Sequence, residues 1–345
     1  MNHRTVTDLV FALEELRESS GIVIPTFFPT SDDRDLAARL LSDTVLGCCR
    51  QTGSPSRVCI SVDGINPAVE VARRLSEAYG VRVVVSPRNR GKLGAVQAGL
   101  ESLAEDDSLR YFILVDQDAD HFPNEMATFI RVTRHVATTA GVDRILVLGR
   151  RSSRHHPMGY LRGELEELAD RMLIDCLHYY AAQTGRPLNL QFAMLLDEFP
   201  DFHSGYKLLT REVVTSILAN GFPLEGLPEE AVYRHAVEAV LVVEAHLAGA
   251  LLASAPRTTI NEQPVTAFGQ LNRCRLISDK IVWPARRLQI PPKFVGQWLD
   301  NHLARLRLST LVPSGKEELL EIRRLVRRSI DLPDATNDIA GPAFL

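Results

Sequence analysis

The chain has 345 residues, enough to bury a large core, and its 45% hydrophobic and 24% charged residues are the proportions of an ordinary globular protein. A formal net charge of −4 excludes a generally basic surface and therefore argues against nucleic acid as the main partner. The five cysteines are odd in number and scattered without the spacing of a metal site, so we expect a reducing, cytoplasmic setting.

The sequence predicts no transmembrane segment. Residues 1–20 alternate charged and apolar side chains and lack the apolar core of a signal peptide. The longest apolar stretch, 235–255, contains Glu238, Glu244 and His246. Because charged side chains are costly inside a bilayer, this stretch predicts a buried helix that leads into a strand.

The first 115 residues alternate predicted helices with predicted strands. Apolar residues at helical spacing predict helices over 8–19, 35–49, 67–79 and 95–103. Short β-branched runs predict strands over 22–26, 57–64, 81–85 and 111–115. This alternation indicates an α/β fold with a mainly parallel central sheet flanked by helices.

The second half of the chain is predicted to be richer in helix. It contains a predicted strand over 145–148, a helix over 161–182, a strand or turn over 202–211 that enters a helix over 212–220, a long helix over 227–246 and a short strand over 250–254. From residue 278 onward the pattern is helical, with predicted breaks at Pro284, Pro291 and Pro292. Residues 331–345 are predicted to be a loose tail.

Acidic residues follow the predicted strand over 111–115. Asp116, Asp118 and Asp120 occupy alternating positions, and unpaired charge cannot continue a buried strand. They are therefore expected at the carboxyl edge of the sheet, where open α/β sheets bind ligands. Carboxylates at positions i and i+2 can share one hard cation, which would neutralise a phosphate. The alternative is an acidic loop that follows a core strand.

Two other strand ends also carry polar residues. Asp63 either caps the next helix or pairs with a loop arginine, or it accepts a hydrogen bond from a base or ribose. The loop containing Arg90, Gly91 and Lys92 matches neither the Walker phosphate loop nor G-x-G-x-x-G. It either approaches a diphosphate at the start of the next helix or is a solvated basic loop.

Three glutamates are candidate catalytic residues, of which Glu229 and Glu230 are candidate general bases. Glu229 and Glu230 stand where a helix N-terminus also favours acids, whereas Glu238 lies in an apolar helix and needs a partner or a role. The adjacent His155 and His156 are interpreted as surface or substrate-side residues, because neighbouring histidines rarely face the same way.

The ordered set of these motifs resembles nucleotide-sugar glycosyltransferases of the GT-A fold. The likeness is closest to the family 2 type and to its relatives acting on glycerate, such as glucosyl-3-phosphoglycerate synthases, and it covers residues 20–275. The motifs that carry it are Ile24-Pro25-Thr26, Val62-Asp63, Asn89-Arg90-Gly91-Lys92, Ala98-Gly99-Leu100 and Leu114-Val115-Asp116-Gln117-Asp118.

The resemblance implies a role for each matching position. The residues that it assigns to the donor are Pro25, Thr26, Asp63, Arg90, Gly91, Lys92, Asp116 and Gln117. Asp116 and Asp118 look like the D-x-D pair that bridges Mg²⁺ or Mn²⁺ to the diphosphate. The segment 203–206 is similar to an acceptor-side loop. The resemblance makes Glu229 or Glu230 the general base of an inverting enzyme and places Glu238 on the acceptor side.

The sequence departs from the family pattern in three ways, one of which is the lack of a predicted transmembrane anchor, which argues against polysaccharide extrusion. Relatives often carry a metal-binding histidine just after the later strand, where this chain has Asn261 and Glu262 as the available substitutes. The Q-x-x-R-W box of processive synthases is only echoed over 270–275, which lacks a tryptophan.

The sequence thus predicts a metal-dependent glycosyltransferase that moves a sugar from a nucleoside diphosphate sugar to a small or soluble acceptor. The arginines and histidines over 150–156 indicate either an anionic acceptor or a solvated basic surface. The predicted catalytic domain spans 1–275, with a donor half over 20–150 and an acceptor half over 151–275, and a helical extension covers 276–345. The alternatives are a sugar-1-phosphate nucleotidyltransferase and a non-catalytic nucleotide-sugar-binding relative. The C-terminal helices dock either on the catalytic domain or on a second subunit, so a homodimer stays open.

Overall fold

The computed structural model describes residues 3–29, 33–155, 159–194, 198–259, 271–335 and 338–339. The strands are β1 (Ser20–Thr26), β2 (Val58–Val62), β3 (Arg82–Val85), β4 (Tyr111–Leu114), β5 (Ile145–Arg151), β6 (Lys207–Thr210) and β7 (Leu251–Arg257). The helices are α1 (His3–Ser19), α2 (Arg34–Gln51), α3 (Ala68–Tyr79), α4 (Lys92–Ala104), α5 (Met126–Ala140), α6 (Tyr160–Thr184), α7 (Arg211–Asn220), α8 (Val237–Leu247), α9 (Arg273–Arg287), α10 (Pro292–Leu303), α11 (Leu308–Leu311) and α12 (Gly315–Ser329).

The strands form one sheet in the order β3-β2-β1-β4-β6-β5-β7. Strand β6 runs antiparallel to both of its neighbours, and every other pairing is parallel. The chain builds outward from β1 through β2 to β3 and then crosses to the other side of β1 to form β4. The point where the strand order reverses is therefore the gap between the carboxyl ends of β1 and β4.

The central strands are buried along their whole length. Every residue of β1, β2, β4 and β6 is buried, whereas β3, at one edge, is half-buried. Helices cover both faces, which explains why these strands are continuous apolar runs rather than alternating patterns. The hydrophobic core includes Ile22, Ile24, Ile60, Val62 and Ile113.

The chain divides into two compact units, each built from separated segments. The first unit contains Met1–Ser152, Asn189–Phe222 and Glu244–Thr259, and it includes the entire sheet. The second unit contains Ser153–Leu188, Pro223–Val243 and Ile260–Leu345 and is helical in its described part. Its core holds the fully buried Trp283, whose indole N–H donates to the carbonyl oxygen of Pro223 at 2.9 Å. The predicted domain limits at residues 150 and 275 stay predictions.

Most predicted elements appear within a few residues of their expected limits, but two helix predictions are wrong. The helix expected over 227–246 is interrupted by a π-helical turn, Ala231–His235, in which Ala236 N–H donates to the carbonyl oxygen of Ala231 at 2.9 Å. Helix α9 continues through Pro284, where a break was expected. Helix α5 was not predicted at all.

None of the helices in the described part of the chain is both long enough and apolar enough to span a bilayer.

Candidate active site

The predicted donor residues lie at the carboxyl ends of neighbouring strands of the first unit. Pro25 and Thr26 end β1, Asp63 follows β2, and Asp116 follows β4 by two residues. Strands β1 and β4 pair only as far as Val23 and Leu114, so their ends separate at the point where the strand order reverses. Ligands of open α/β sheets bind in such a crevice.

Asp116 forms an ion pair with Lys92, the first residue of α4. The ammonium Nζ of Lys92 lies 2.7 Å from Oδ1 of Asp116, and both side chains are about one-third exposed or less, at 32% and 28%. Burial alone would raise the pKa of Asp116, but the charge and hydrogen bond of Lys92, together with the other basic side chains nearby, outweigh burial and hold this pKa well below its usual range. The Asp116 carboxylate is therefore ionised.

Gly205 lies directly against this ion pair. A Cβ atom built on Gly205 would overlap the carboxylate oxygen Oδ2 of Asp116 and lie 3.1 Å from Nζ of Lys92. Only a residue without a side chain lets the backbone before β6 approach so closely. Lys207, fully buried in β6, fixes the same segment because its ammonium donates to the carbonyl oxygens of Phe202, at 3.0 Å, and Ser204.

His121 supports the acidic loop, residues 116–120, through a hydrogen bond to its backbone. Its Nδ1 accepts a hydrogen bond from the backbone N–H of Asp116 at 3.0 Å, and its ring stacks on Tyr206 with centroids 4.6 Å apart. Burial lowers the pKa of His121 to about 3, so the ring is neutral and carries its proton on Nε2. Tyr206 is fixed in turn, since its hydroxyl donates to the carbonyl oxygen of Phe122 at 3.0 Å.

The two remaining carboxylates of the loop differ in their environment. Asp120 is buried and paired with Arg257, whose Nη1 lies 3.1 Å from Oδ2. Burial, followed by the charges of Asp116 and Asp120, raises the pKa of Asp118 to about 7. Ala119 between them adopts a left-handed φ of 62°, a conformation that costs a non-glycine residue roughly 1–2 kcal/mol.

This set of carboxylates fits a hard divalent cation. Like charges crowded in one partly buried loop repel each other, and a cation bound by Asp116 and Asp118 would remove that repulsion. Carboxylate oxygens are the ligands that Mg²⁺ and Mn²⁺ prefer. The other ligands predicted as substitutes, Asn261 and Glu262, lie outside the described residues.

Asp63 holds the basic loop in place. Its Oδ1 accepts the backbone N–H of Arg90 at 2.9 Å and its Oδ2 accepts that of Gly91 at 2.8 Å. Gly91, with φ 118°, directly precedes α4 as its N-cap, so Lys92 is the first residue of the helix. The arrangement joins the ends of β2 and β3, which the sequence did not reveal, and the proposed contact of Asp63 with a base or ribose stays a prediction.

Gln117 joins the ends of β1 and β4. Its amide oxygen accepts the backbone N–H of Phe27 at 3.0 Å, and its amide nitrogen donates to the carbonyl oxygen of Phe27 at 2.8 Å. The buried Thr26 hydroxyl donates to the carbonyl oxygen of Ile24 at 3.0 Å. Gln117 and Thr26 therefore fix the backbone at the carboxyl end of β1, and their predicted contacts with the donor stay predictions.

The three candidate catalytic glutamates lie in the second unit. Glu229 and Glu230 directly precede the π-helical turn, and Oε2 of Glu230 lies 3.6 Å from Nη2 of Arg275, with both side chains about half exposed. Glu238 is half-buried in the first turn of α8. The π-helical turn also contains the buried His235, whose Nδ1 lies 2.6 Å from Oδ2 of Asp279.

Sequence reasoning missed two further ion pairs. The guanidinium of Arg151 binds Asp201 through Nε at 2.8 Å and Nη2 at 2.6 Å, with both side chains buried. Arg257 and Asp120 form the second pair. In both cases the partners are at least 50 residues apart in sequence, so no local pattern could have indicated them.

The glycosyl transferase family 2 sequence model matches residues 22–217, which is more than half of the chain and includes most of β1, all of β2 to β6 and the whole acidic loop. The chain belongs to glycosyl transferase family 2. The predicted family, the enzyme class and the α/β fold class are therefore confirmed. The likeness of this family 2 glycosyltransferase to sugar-glycerate synthases stays a prediction.

Two solved structures are similar to the family 2 chain. One is the mannosyltransferase PcManGT from Pyrobaculum calidifontis in complex with GDP-Man and Mn²⁺, with 13% identity, a TM-score of 0.41, and coverage of 95% of this chain and 80% of that one. The other is S. aureus TarS 1–349, with 10% identity, a TM-score of 0.40, and coverage of 91% and 90%. No curated protein matches the chain.

Proposed function

We propose that this glycosyltransferase moves a sugar from a nucleoside diphosphate sugar to a small or soluble acceptor and that Asp116 and Asp118 hold a Mg²⁺ or Mn²⁺ ion. One observation carries the proposal. The ionised Asp116, its partner Lys92 and the nearby Asp118 lie at the carboxyl end of β4, where the strand order reverses. Family membership supports the reaction class.

The residues at the crevice would stabilise the leaving diphosphate. A bound divalent cation supplies Lewis-acid stabilisation of the negative charge on the phosphate oxygens. Lys92 adds a fixed positive charge, and the N-terminus of α4, where Lys92 lies, adds the positive end of the helix dipole. Asp63 and Gln117 keep these groups in place through their bonds to the backbone of Gly91 and Phe27.

The acceptor is defined less sharply than the donor. The arginines near residue 150 were expected to favour an anionic acceptor, but Arg151 is paired with Asp201, and Nε of Arg154 donates to Asp170 at 3.0 Å. These two guanidinium groups therefore already have carboxylate partners. We propose that the acceptor is small or soluble. Acceptors that carry an anionic group are the specific class to be tested.

A thermal-shift screen of nucleoside diphosphates and their sugars, with and without Mn²⁺ or Mg²⁺, tests the donor. We expect stabilisation that needs both nucleotide and metal, because only the native fold binds them. Stabilisation by nucleotide with no effect of metal would contradict the metal site, and no stabilisation by any nucleotide would contradict the donor proposal. Consumption of the donor so identified then provides the activity assay.

Asp118→Ala tests the metal role directly. We expect metal-dependent turnover to be abolished with the fold intact, because one of two proposed ligands is lost. The matched control is Asp107→Ala, since the Asp107 side chain is fully exposed and lies outside the acidic loop. Turnover that stays at the wild-type level in Asp118→Ala, with unchanged circular dichroism, would refute the assignment.

The general base is tested by the isosteric variants Glu229→Gln and Glu230→Gln, and the acceptor-side role of Glu238 by Glu238→Gln. If the product is inverted at the anomeric carbon, either Glu229→Gln or Glu230→Gln should lose about 10²- to 10⁴-fold in kcat. If the configuration is retained, no such base is needed, and Glu238→Gln should mainly raise KM for the acceptor. The anomeric configuration is read by NMR of the product.

A further inference from the structure

A second group of metal-ligating side chains lies in the helical unit. One ring nitrogen of His155 and a carboxylate oxygen from each of Glu164 and Glu167 lie within 4.8 Å of one another. Nε2 of His155 is 3.1 Å from Oε1 of Glu164. The Glu164 side chain is 9% exposed, Glu167 is 20% exposed and His155 is 33% exposed, so the group is enclosed but open on one side.

The chain holds His155 over the first turns of α6. Glu164 and Glu167 are three residues apart, which places both on one face of the helix. Gly163 permits the approach, because a Cβ there would lie 2.8 Å from both Cα and Cδ2 of His155. The preceding Arg154 is anchored to the same helix by its bond to Asp170, which is fully buried.

The carboxylates are also oriented from outside. Oε2 of Glu164 accepts the backbone N–H of Arg307 at 2.9 Å, and Oε1 of Glu167 accepts Nε and Nη2 of Arg171 at 3.0 and 2.9 Å. A carboxylate has lone pairs enough to accept such bonds and to bind a cation as well. Metal ligands are usually held by outer hydrogen bonds of this kind.

Tyr160 lies beside the same group. Its ring lies 5.3 Å from that of His155. Burial, followed by the charge of the Glu164 carboxylate and a hydrogen bond with it, raises the pKa of the Tyr160 hydroxyl, so this hydroxyl is a neighbour of the group.

We propose that His155, Glu164 and Glu167 form a binding site for a divalent transition metal of the zinc class. One imidazole and two carboxylates suit this class, whereas all-oxygen sites such as Asp116 and Asp118 suit Mg²⁺ or Mn²⁺. Three protein ligands leave one tetrahedral position open. The ion would tie residues 153–155 to α6 and so stabilise this part of the fold. The site is independent of the proposed donor chemistry.

Binding of Co²⁺, which reports a zinc-type site through its visible absorption, tests the proposal in the full chain carrying Asp118→Asn to weaken the other site. We expect one ion per chain and a higher melting temperature with Co²⁺. His155→Ala and Glu167→Gln should each lower the affinity for Co²⁺ by at least about 10-fold. Removing a side chain that only hydrogen-bonds to a metal ligand already costs about 10- to 100-fold, so removing a ligand itself should cost at least as much.

The control is Glu317→Gln, an exposed glutamate of α12, which should bind Co²⁺ as the parent does. Glu167→Gln preserves the shape of a partly exposed side chain, so it keeps the test valid if His155→Ala unfolds. Failure of the parent to bind Co²⁺, or equal affinity in parent and Glu167→Gln, would overturn the proposal.

Discussion

Gly205→Ala is the sharpest test of the crevice. Gly205 is not among the glycines with positive φ, so alanine meets no backbone strain, and the cost is purely one of space. The added methyl group would overlap Oδ2 of Asp116 and lie 3.1 Å from its Cγ, where ordinary contacts begin at 3.4 Å. Because Lys92 holds the other oxygen at 2.7 Å, the carboxylate cannot move without breaking that ion pair.

We expect the Asp116 carboxylate or the loop to shift by roughly 1 Å, a misplacement that can cost about 100-fold in rate, or about 2.7 kcal/mol in activation free energy. The assay is steady-state donor consumption, together with thermal melting. Overpacking by itself should lower the free energy of unfolding by about 1–3 kcal/mol.

Gly99→Ala is the matched control. Its methyl group would overlap Val23 in the core and lie 3.2 Å from Cβ of Ser61, without touching the acidic loop. It should lower the melting temperature but leave the turnover of the folded protein unchanged. The reasoning fails if Gly205→Ala retains wild-type turnover, or if both variants lose activity in the same proportion to their stability.

Three further predictions concern the fold. Asp33→Ala should lower the free energy of unfolding by about 0.5–2 kcal/mol in a urea titration, because Asp33 caps α2 by accepting the N–H groups of Asp35 and Leu36, and Asp33→Asn should retain most of it. Arg151→Ala should cost about 3–5 kcal/mol by leaving the Asp201 carboxylate buried without its partner, and a double replacement by apolar residues should recover stability; a loss below 1 kcal/mol would contradict the buried pair. Cys49 and Cys274, the half-buried thiols, should react with an aromatic disulfide near pH 8 before urea is added, whereas the other three should not. Burial raises the pKa of all five thiols, and it does so most for the three that are also buried from the reagent.

The features that followed from local pattern were predicted well. Buried β-branched runs and helical spacing identified β1 to β4 and their alternation with helices, and the cost of burying charge placed Asp116 and Asp118 at a strand end. Lys92 was expected near a diphosphate, and the structure adds that it neutralises Asp116. Whether it also meets the donor stays a prediction.

The features that depend on distant partners were not predictable. Asp63 binds the backbone 27 and 28 residues later, and Gln117 binds Phe27 across 90 residues, so neither role has a sequence signature. The direction of β6 is likewise set by its neighbours in the sheet rather than by its own four residues. The proline inside α9 and the π-helical turn show tertiary packing overriding local propensity.

The strand order has a consequence for synthesis on the ribosome. Strands β1 to β4 are adjacent to one another and are complete by Leu114, so this part of the sheet can pair while the chain is still growing. Strand β5 pairs only with β6 and β7, which emerge about 60 and 100 residues after it. Over that interval the nascent chain therefore exposes one edge of β4 and both edges of β5 without their partners, and a fragment released there would be prone to aggregation.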